Sequence, residues 1–109
     1  MGTRIYHHPR VAWDFARTVV DMAAAGDELY AWFGTRVAEV MGPRYRQDLD
    51  ETRTRLARPT RDDARHVEAG LWRARIDDVL RYQNDLAEDL YILTRDASAR
   101  LARTQSAPA

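Results

Sequence analysis

Lysine and cysteine are absent from this sequence, and the 17 residues counted as lysine or arginine are therefore all arginine. The absence of lysine excludes Schiff-base catalysis and the lysine of nucleotide-binding phosphate loops. The absence of cysteine excludes thiolate nucleophiles and thiolate metal ligands. Asparagine is nearly missing too, with Asn84 alone, whereas alanine and arginine abound. We interpret this residue usage as that of a high-G+C bacterium or its phage.

Serine is scarce as well, and both Ser98 and Ser106 lie near the C-terminal end of the chain. No Ser–His–Asp arrangement suited to nucleophilic catalysis can be argued from these positions, and no glycine-rich phosphate loop is present. We therefore expect a protein that is not an enzyme and that needs no cofactor.

Charge of one sign is not in excess, because 17 acidic residues balance the 17 arginines and the pI is about 6.8. Nucleic-acid binding usually requires a strongly basic surface, so nucleic acid is a disfavoured partner. No apolar run approaches the roughly 20 residues of a membrane span, and no secretory signal is visible. These absences predict a cytoplasmic protein without a membrane partner.

The length of 109 residues predicts one domain, with an irregular lead over residues 1–9 and a disordered tail over residues 105–109. Val11, Phe15, Val19 and Met22 then recur at steps of four, four and three, which is typical of one helix face. The same phase continues beyond Gly26, so a single helix is expected over residues 10–41. Whether Gly26 breaks this helix is left open by the pattern.

Two further helices are predicted, a short one over residues 44–57 and a long one over residues 60–104. At 1.5 Å per residue, the first and third helices would measure about 48 Å and about 65 Å, too long for a compact monomer. The predicted fold is all-α, a long antiparallel helical hairpin with a short middle helix. Its apolar stripes exceed what one hairpin covers, so the bundle would be completed by oligomerisation, with coiled-coil-like packing.

This fold predicts an assembly protein, such as a structural, adaptor or regulatory subunit, whose partner is itself, as a homodimer or higher, or another protein. Large aromatic and leucine side chains commonly anchor such contacts. Alternatively, they widen the core of the monomer. The candidate interface residues are Trp13, Phe15, Tyr30, Trp32, Phe33, Trp72, Leu86, Leu90 and Leu93.

A group of arginines offers a second function, that of an arginine-based nucleic-acid or phosphate-binding regulator. Guanidinium groups suit phosphate and carboxylate oxygens, although the same residues would serve as a polar connector between helices. The candidate anion-binding residues are Arg53, Arg55, Arg58, Arg61 and Arg65.

A metal-binding helical bundle is a minor alternative. If the starts of the first and last helices met, His8, Asp63 and His66 could supply mixed nitrogen and oxygen ligands. Otherwise no metal site is expected.

Trp32, Phe33 and Gly34 resemble the Trp-x-Gly signature of the small secreted helical hairpins of type VII export. That resemblance would imply a secreted hairpin whose turn carries the signature. Here the three residues lie inside the predicted first helix. The family's C-terminal Tyr-x-x-x-Asp/Glu signal is also missing, because Leu86 and Arg95 occupy the fourth positions after the two candidate tyrosines. The type VII hairpin is therefore a minor alternative.

Overall fold

A computed structural model describes residues 6–106, in which the backbone forms five α-helices and no strand. They are α1 His8–Ala23, α2 Asp27–Met41, α3 Pro43–Ala57, α4 Ala64–Tyr82 and α5 Leu86–Ser106. The all-α class is confirmed, and α3 matches the predicted middle helix within one residue. Of the predicted lead and tail, residues 1–5 and 107–109 lie outside the described residues, whereas positions 105 and 106 belong to α5.

The prediction of one helix over residues 10–41 is wrong, because the chain turns between Ala23 and Asp27. Gly26 has an extended backbone at φ −63° and ψ 162° and forms the N-cap of α2. Asp27 and Glu28 follow in the first turn, where negative charge is favoured by the helix dipole. The apolar phase continues across the break because α2 folds back on the same core, with the Phe33 ring centred 6.1 Å from that of Phe15.

The prediction of one helix over residues 60–104 is wrong for a similar reason. Gln83, Asn84 and Asp85 separate α4 from α5, and asparagine and aspartate favour turns over helix interiors. The Leu86 N–H donates to the Gln83 carbonyl oxygen at 3.0 Å, which closes a tight turn. The start of this segment also differs, since α4 begins at Ala64 and its N-cap makes no side-chain hydrogen bond.

Contacts between side chains fix the direction of each helix. Trp13 lies near Arg73 and Asp21 pairs with Arg65, so α1 and α4 are antiparallel. Tyr6, just before α1, stacks near Tyr91 in the first turns of α5, while Asp21 shares a groove with the last turns of α5. Helices α1 and α5 are therefore parallel.

The middle helices alternate in the same way. Asp27 pairs with Arg53 and Gly34 lies against Arg46, which makes α2 and α3 antiparallel. Arg55 pairs with Glu68 and Asp48 lies near Arg75, so α3 and α4 are also antiparallel. Successive helices are thus antiparallel, and short connections suffice to join them.

Helix α1 occupies the centre of this arrangement, since it contacts all four other helices. Around it, α2 contacts α3, α3 contacts α4, α4 contacts α5, and α5 returns to α2; within residues 6–106, α2 does not touch α4 and α3 does not touch α5. The main core side chains are Phe15, Val19, Met22, Phe33, Val37, Leu49, Trp72, Ile76, Leu80, Leu90 and Leu93.

The long two-helix hairpin is therefore replaced by a compact five-helix bundle. Its radius of gyration is 14.0 Å, close to the value near 13 Å expected for about 100 residues in one globule. Most apolar residues of the two long stretches are buried by the chain itself, because each stretch folds back at a turn; exceptions include Leu71, Tyr82 and Ile92. Among the described helices, none has both the length and the apolar composition needed to cross a bilayer.

Candidate functional site

The nine candidate interface residues mostly face the interior. Phe15, Phe33, Trp72 and Leu90 are fully buried, and Tyr30 and Leu93 are nearly so. Trp13, Trp32 and Leu86 are half-buried. The structure places these six buried side chains in the core of the bundle, in agreement with the alternative that they widen the core.

Trp72 illustrates why an aromatic residue at a stripe margin is buried. Its indole Nε1 donates to Thr52 Oγ1 at 2.8 Å, so the polar atom of the ring is satisfied inside the bundle. Beside it, Arg55 donates from Nε and Nη2 to both carboxylate oxygens of Glu68, each at 2.8 Å. Glu68 is only 8% exposed, and its hydrogen bond raises the pKa of Arg55. This network joins α3 to α4.

Arg53 has an equally structural position at the joint between α1 and α2. Its Nη1 donates to the carbonyl oxygens of Ala23 and Ala25 at 3.2 and 2.8 Å, and Nη2 pairs with Asp27 at 2.7 Å. Its guanidinium also lies 4.1 Å from the ring centre of Tyr30. One side chain therefore caps the end of α1, contacts the start of α2 and stacks on an aromatic ring.

The structure gives most of the candidate anion-binding residues a carboxylate partner of their own; these candidates are Arg53, Arg55, Arg58, Arg61 and Arg65. Arg61 pairs with Asp63, and Arg65 pairs with Asp21 at 2.6 Å. Within the described part of the chain, Arg58 has neither an ion pair nor a hydrogen bond from its side chain. Four of the five guanidinium groups are thus neutralised by separate partners, as the polar-connector alternative expected.

The weak metal candidates also stay apart. His66 follows Arg65, which contacts Asp21 near the end of α1, whereas His8 is the first residue of α1. Thirteen helical residues between positions 8 and 21 correspond to about 20 Å. The pKa of Asp63 is lowered mainly by its hydrogen bond from Arg61. In residues 6–106 no group of three or more histidine and acidic side chains is placed to hold a metal ion.

A cleft of about 350 Å³ between α1 and α5 brings together two arginines that no sequence pattern had joined. We name it the α1/α5 cleft, and its lining residues are Val11, Asp14, Arg17, Thr18, Asp21, Tyr91, Thr94, Arg95 and Ser98. In the described chain, neither Arg17 nor Arg95 has a carboxylate partner. The Arg17 guanidinium lies 5.3 Å from the Trp13 ring centre, and that of Arg95 lies 5.8 Å from the Tyr91 ring centre.

The acids of the α1/α5 cleft are engaged elsewhere. Asp14 lies 3.6 Å from Arg10, and Asp21 is held by Arg65. With these pairs neutral, the formal charge left in the cleft is that of two arginines. Each guanidinium lies beside an aromatic ring and neither is neutralised by a carboxylate, so both can donate N–H groups to an oxyanion.

A larger groove, of about 1000 Å³, lies where α1 ends, α2 and α4 begin and α5 ends. We name it the joint groove. Its apolar lining consists of Ala24, Ala25, Leu29, Trp32 and Leu101. Its charged lining consists of Asp21, Asp27, Glu28, Arg65, Arg100 and Arg103, three of each sign. The guanidinium of Arg100 lies 3.9 Å from the ring centre of Trp32, which covers one face of the indole.

Sequence reasoning missed Arg17 and Arg95 for different reasons. Arg95 has no acidic residue three or four positions away, so the sequence itself indicates that this arginine lacks an ion-pair partner at helical spacing. Arg17 has Asp14 and Asp21 at helical spacing, so pairing would be expected, but Asp14 pairs with Arg10 within the same helix and Asp21 pairs with Arg65 from α4.

The Trp32, Phe33 and Gly34 sequence lies inside α2 and not in a turn. A Cβ at position 34 would lie 2.5 Å from Arg46 Cζ, so the flexible guanidinium of Arg46 would have to move for any other residue there. No protein-family model matches the chain, and searches of curated proteins and of solved structures found no match.

Proposed function

We propose that this chain is a non-enzymatic assembly protein that binds a second copy of itself through the joint groove. The observation that carries the proposal is the composition of that groove. Its apolar floor includes the half-buried Trp32 and Leu101, and charged residues surround this floor. Protein interfaces commonly combine an apolar centre containing tryptophan and arginine with a polar rim.

Charge supports a second copy as the occupant. The groove carries three arginines and three acids, so it suits a partner surface that also presents both signs in equal number. The chain itself has 17 of each. In a two-fold symmetric contact the joint groove of one copy faces the joint groove of the other. An arginine of one copy can then pair with an acid of the other.

Catalysis is less well supported than binding. General acid–base chemistry needs groups that converge in a water-poor pocket with a pKa near the working pH. The joint groove is open, and most of its charged side chains are engaged in ion pairs, such as Arg65 with Asp21 and Arg100 with Asp96. Such pairs suit recognition more than proton transfer.

Sedimentation velocity over the micromolar concentration range tests the proposal with a matched pair of variants. Leu101→Asp places a charge on the floor of the groove, whereas Ile92→Asp changes an apolar side chain that is 51% exposed on α5 outside the groove. We expect the wild type and Ile92→Asp to form dimers at high concentration, and Leu101→Asp to stay monomeric with unchanged helix content. A wild type that remains monomeric throughout, or an equal loss in both variants, overturns the proposal.

A further inference from the structure

We infer that the α1/α5 cleft binds a small phosphate monoester between the guanidinium groups of Arg17 and Arg95. This function goes beyond the proposed self-association and concerns a different surface. It also relocates the arginine-based binding expected from the sequence, since four of the five arginines predicted for it are engaged in ion pairs and the two in the cleft are not.

The pairing of the arginines singles out these two side chains. Sixteen of the 17 arginines lie in the described residues, and eleven of them form an ion pair: Arg10, Arg36, Arg46, Arg53, Arg55, Arg61, Arg65, Arg73, Arg75, Arg81 and Arg100. The five others in that part of the chain are Arg17, Arg44, Arg58, Arg95 and Arg103. Of these, Arg17 and Arg95 face one cleft from opposite helices.

The surroundings of each guanidinium favour the binding of an anion. Arg95 Nη1 also lies 3.4 Å from Tyr91 Oη, which holds the side chain along α5. Arg17 lies beside Trp13, with its guanidinium 5.3 Å from the ring centre. Because the acids of the cleft are paired, a dianion entering it gains two charge-assisted contacts, one from each arginine.

The size of the cleft limits which phosphate compounds can enter it. A volume of about 350 Å³ lies at the lower end of small-molecule pockets, which span roughly 300 to 1,000 Å³. This space admits a phosphoryl group together with a small organic group. Tyr91 and Val11 supply surface for that organic group, and the Ser98 hydroxyl is a further donor to oxygen. A nucleic-acid strand would require a longer basic track than two arginines.

Isothermal titration calorimetry with phenyl phosphate tests this inference, with inorganic phosphate and a short single-stranded oligonucleotide as comparison ligands. The variants are Arg17→Gln and Arg95→Gln, and the matched controls are Arg44→Gln and Arg58→Gln, which remove unpaired arginines outside the cleft. We expect each cleft variant to weaken phenyl phosphate binding at least about tenfold, because a hydrogen-bonded charge is lost. The controls should bind as the wild type does.

Several outcomes would overturn the inference. Equal weakening in cleft and control variants would mean that general charge, not the cleft, attracts the ligand. Equal affinity for inorganic phosphate and phenyl phosphate would exclude a monoester site, and tighter, steeply salt-dependent binding of the oligonucleotide would indicate nucleic acid instead. Because neither cleft arginine lines the joint groove, both variants should dimerise normally, so the two proposals fail separately.

Discussion

At the scale of single residues, the clearest constraint is the left-handed backbone of Gly42, at φ +105° between α2 and α3. Its N–H donates to the Ala38 carbonyl oxygen at 3.0 Å, and its own carbonyl oxygen accepts from the Tyr45 N–H at 3.2 Å. The turn that separates the two helices therefore depends on a conformation that other residues adopt only with strain.

Two glycine substitutions should have opposite effects on stability. Gly42→Ala is expected to lower the free energy of unfolding by about 1 to 2 kcal/mol, because the added Cβ strains the left-handed backbone. Gly70→Ala, inside α4, is expected to raise it by about 0.5 to 1 kcal/mol, since alanine is the better helix former. A Cβ at position 70 meets no atom within 4 Å. Urea unfolding followed by circular dichroism measures both, and shifts of equal sign would contradict this assignment.

Tyr30 should make stability depend on alkaline pH. Burial raises the pKa of its hydroxyl, and the hydrogen bond that it donates to Asp50 raises that pKa further. An unfolded tyrosine ionises near pH 10, so above that pH the unfolded state is favoured and stability falls as pH rises. Unfolding free energies measured from about pH 8 to about pH 11, a range that brackets the pKa of an unfolded tyrosine, should decline more steeply for the wild type than for Tyr30→Phe. Parallel curves would exclude this role.

At the scale of helices, the joints decide the architecture more than the helices themselves. The α1–α2 joint is stabilised by Arg53, which reaches back from α3 to the carbonyl oxygens of Ala23 and Ala25. The α3–α4 pair is stabilised by the bidentate contact of Arg55 with the buried Glu68. One guanidinium satisfies two backbone carbonyl oxygens in the first case and a buried carboxylate in the second.

Replacing Arg53 tests how far the joint depends on this contact. Arg53→Met keeps an apolar stem on Tyr30 but removes the donors, so we expect the free energy of unfolding to fall by about 1 to 3 kcal/mol. Arg58→Met, at the C-cap of the same helix, removes an unpaired side chain and should change stability by less than about 0.5 kcal/mol. Thermal unfolding compares the two variants, and amide exchange should accelerate near Ala25 in the first alone. Equal effects of the two substitutions would show that the capping contact is dispensable.

At the scale of the whole molecule, the topology is the simplest that encloses a central helix. The four outer helices follow one another around α1 in chain order, and every connection is a short turn between antiparallel neighbours. Such an arrangement buries the apolar face of α1 on several sides and leaves outside only a polar stripe that includes Arg10, Arg17 and Asp21. The α1/α5 cleft lies along that stripe.

Small-angle X-ray scattering at low protein concentration distinguishes this bundle from a long hairpin. The principal extents of the molecule are 45 × 33 × 24 Å, whereas an unbroken helix over residues 60–104 would measure about 65 Å. We expect a maximum dimension near the smaller value and a compact scattering profile. An elongated profile near the larger dimension would mean that α4 and α5 form one rod in solution.

How much could be read from the sequence depends on the range of the interaction. The periodicity of Val11, Phe15 and Val19 is local, and all three are buried as predicted. The same periodicity cannot locate a break when both halves face one core. It therefore does not show that the chain turns at Gly26 and at Asn84. The burial of Trp72 cannot be predicted from spacing, because its hydrogen-bond partner Thr52 lies 20 positions away in sequence.

The sequence by itself determined the all-α class, the middle helix and the apolar faces, since these follow from side-chain spacing and backbone preference along a few turns. Only the tertiary structure decided where the long stretches turn back and which arginines remain unpaired. Ion pairs such as Arg65 with Asp21 join residues 44 positions apart. Whether a guanidinium is neutralised or free to bind an anion therefore depends on which helices become neighbours.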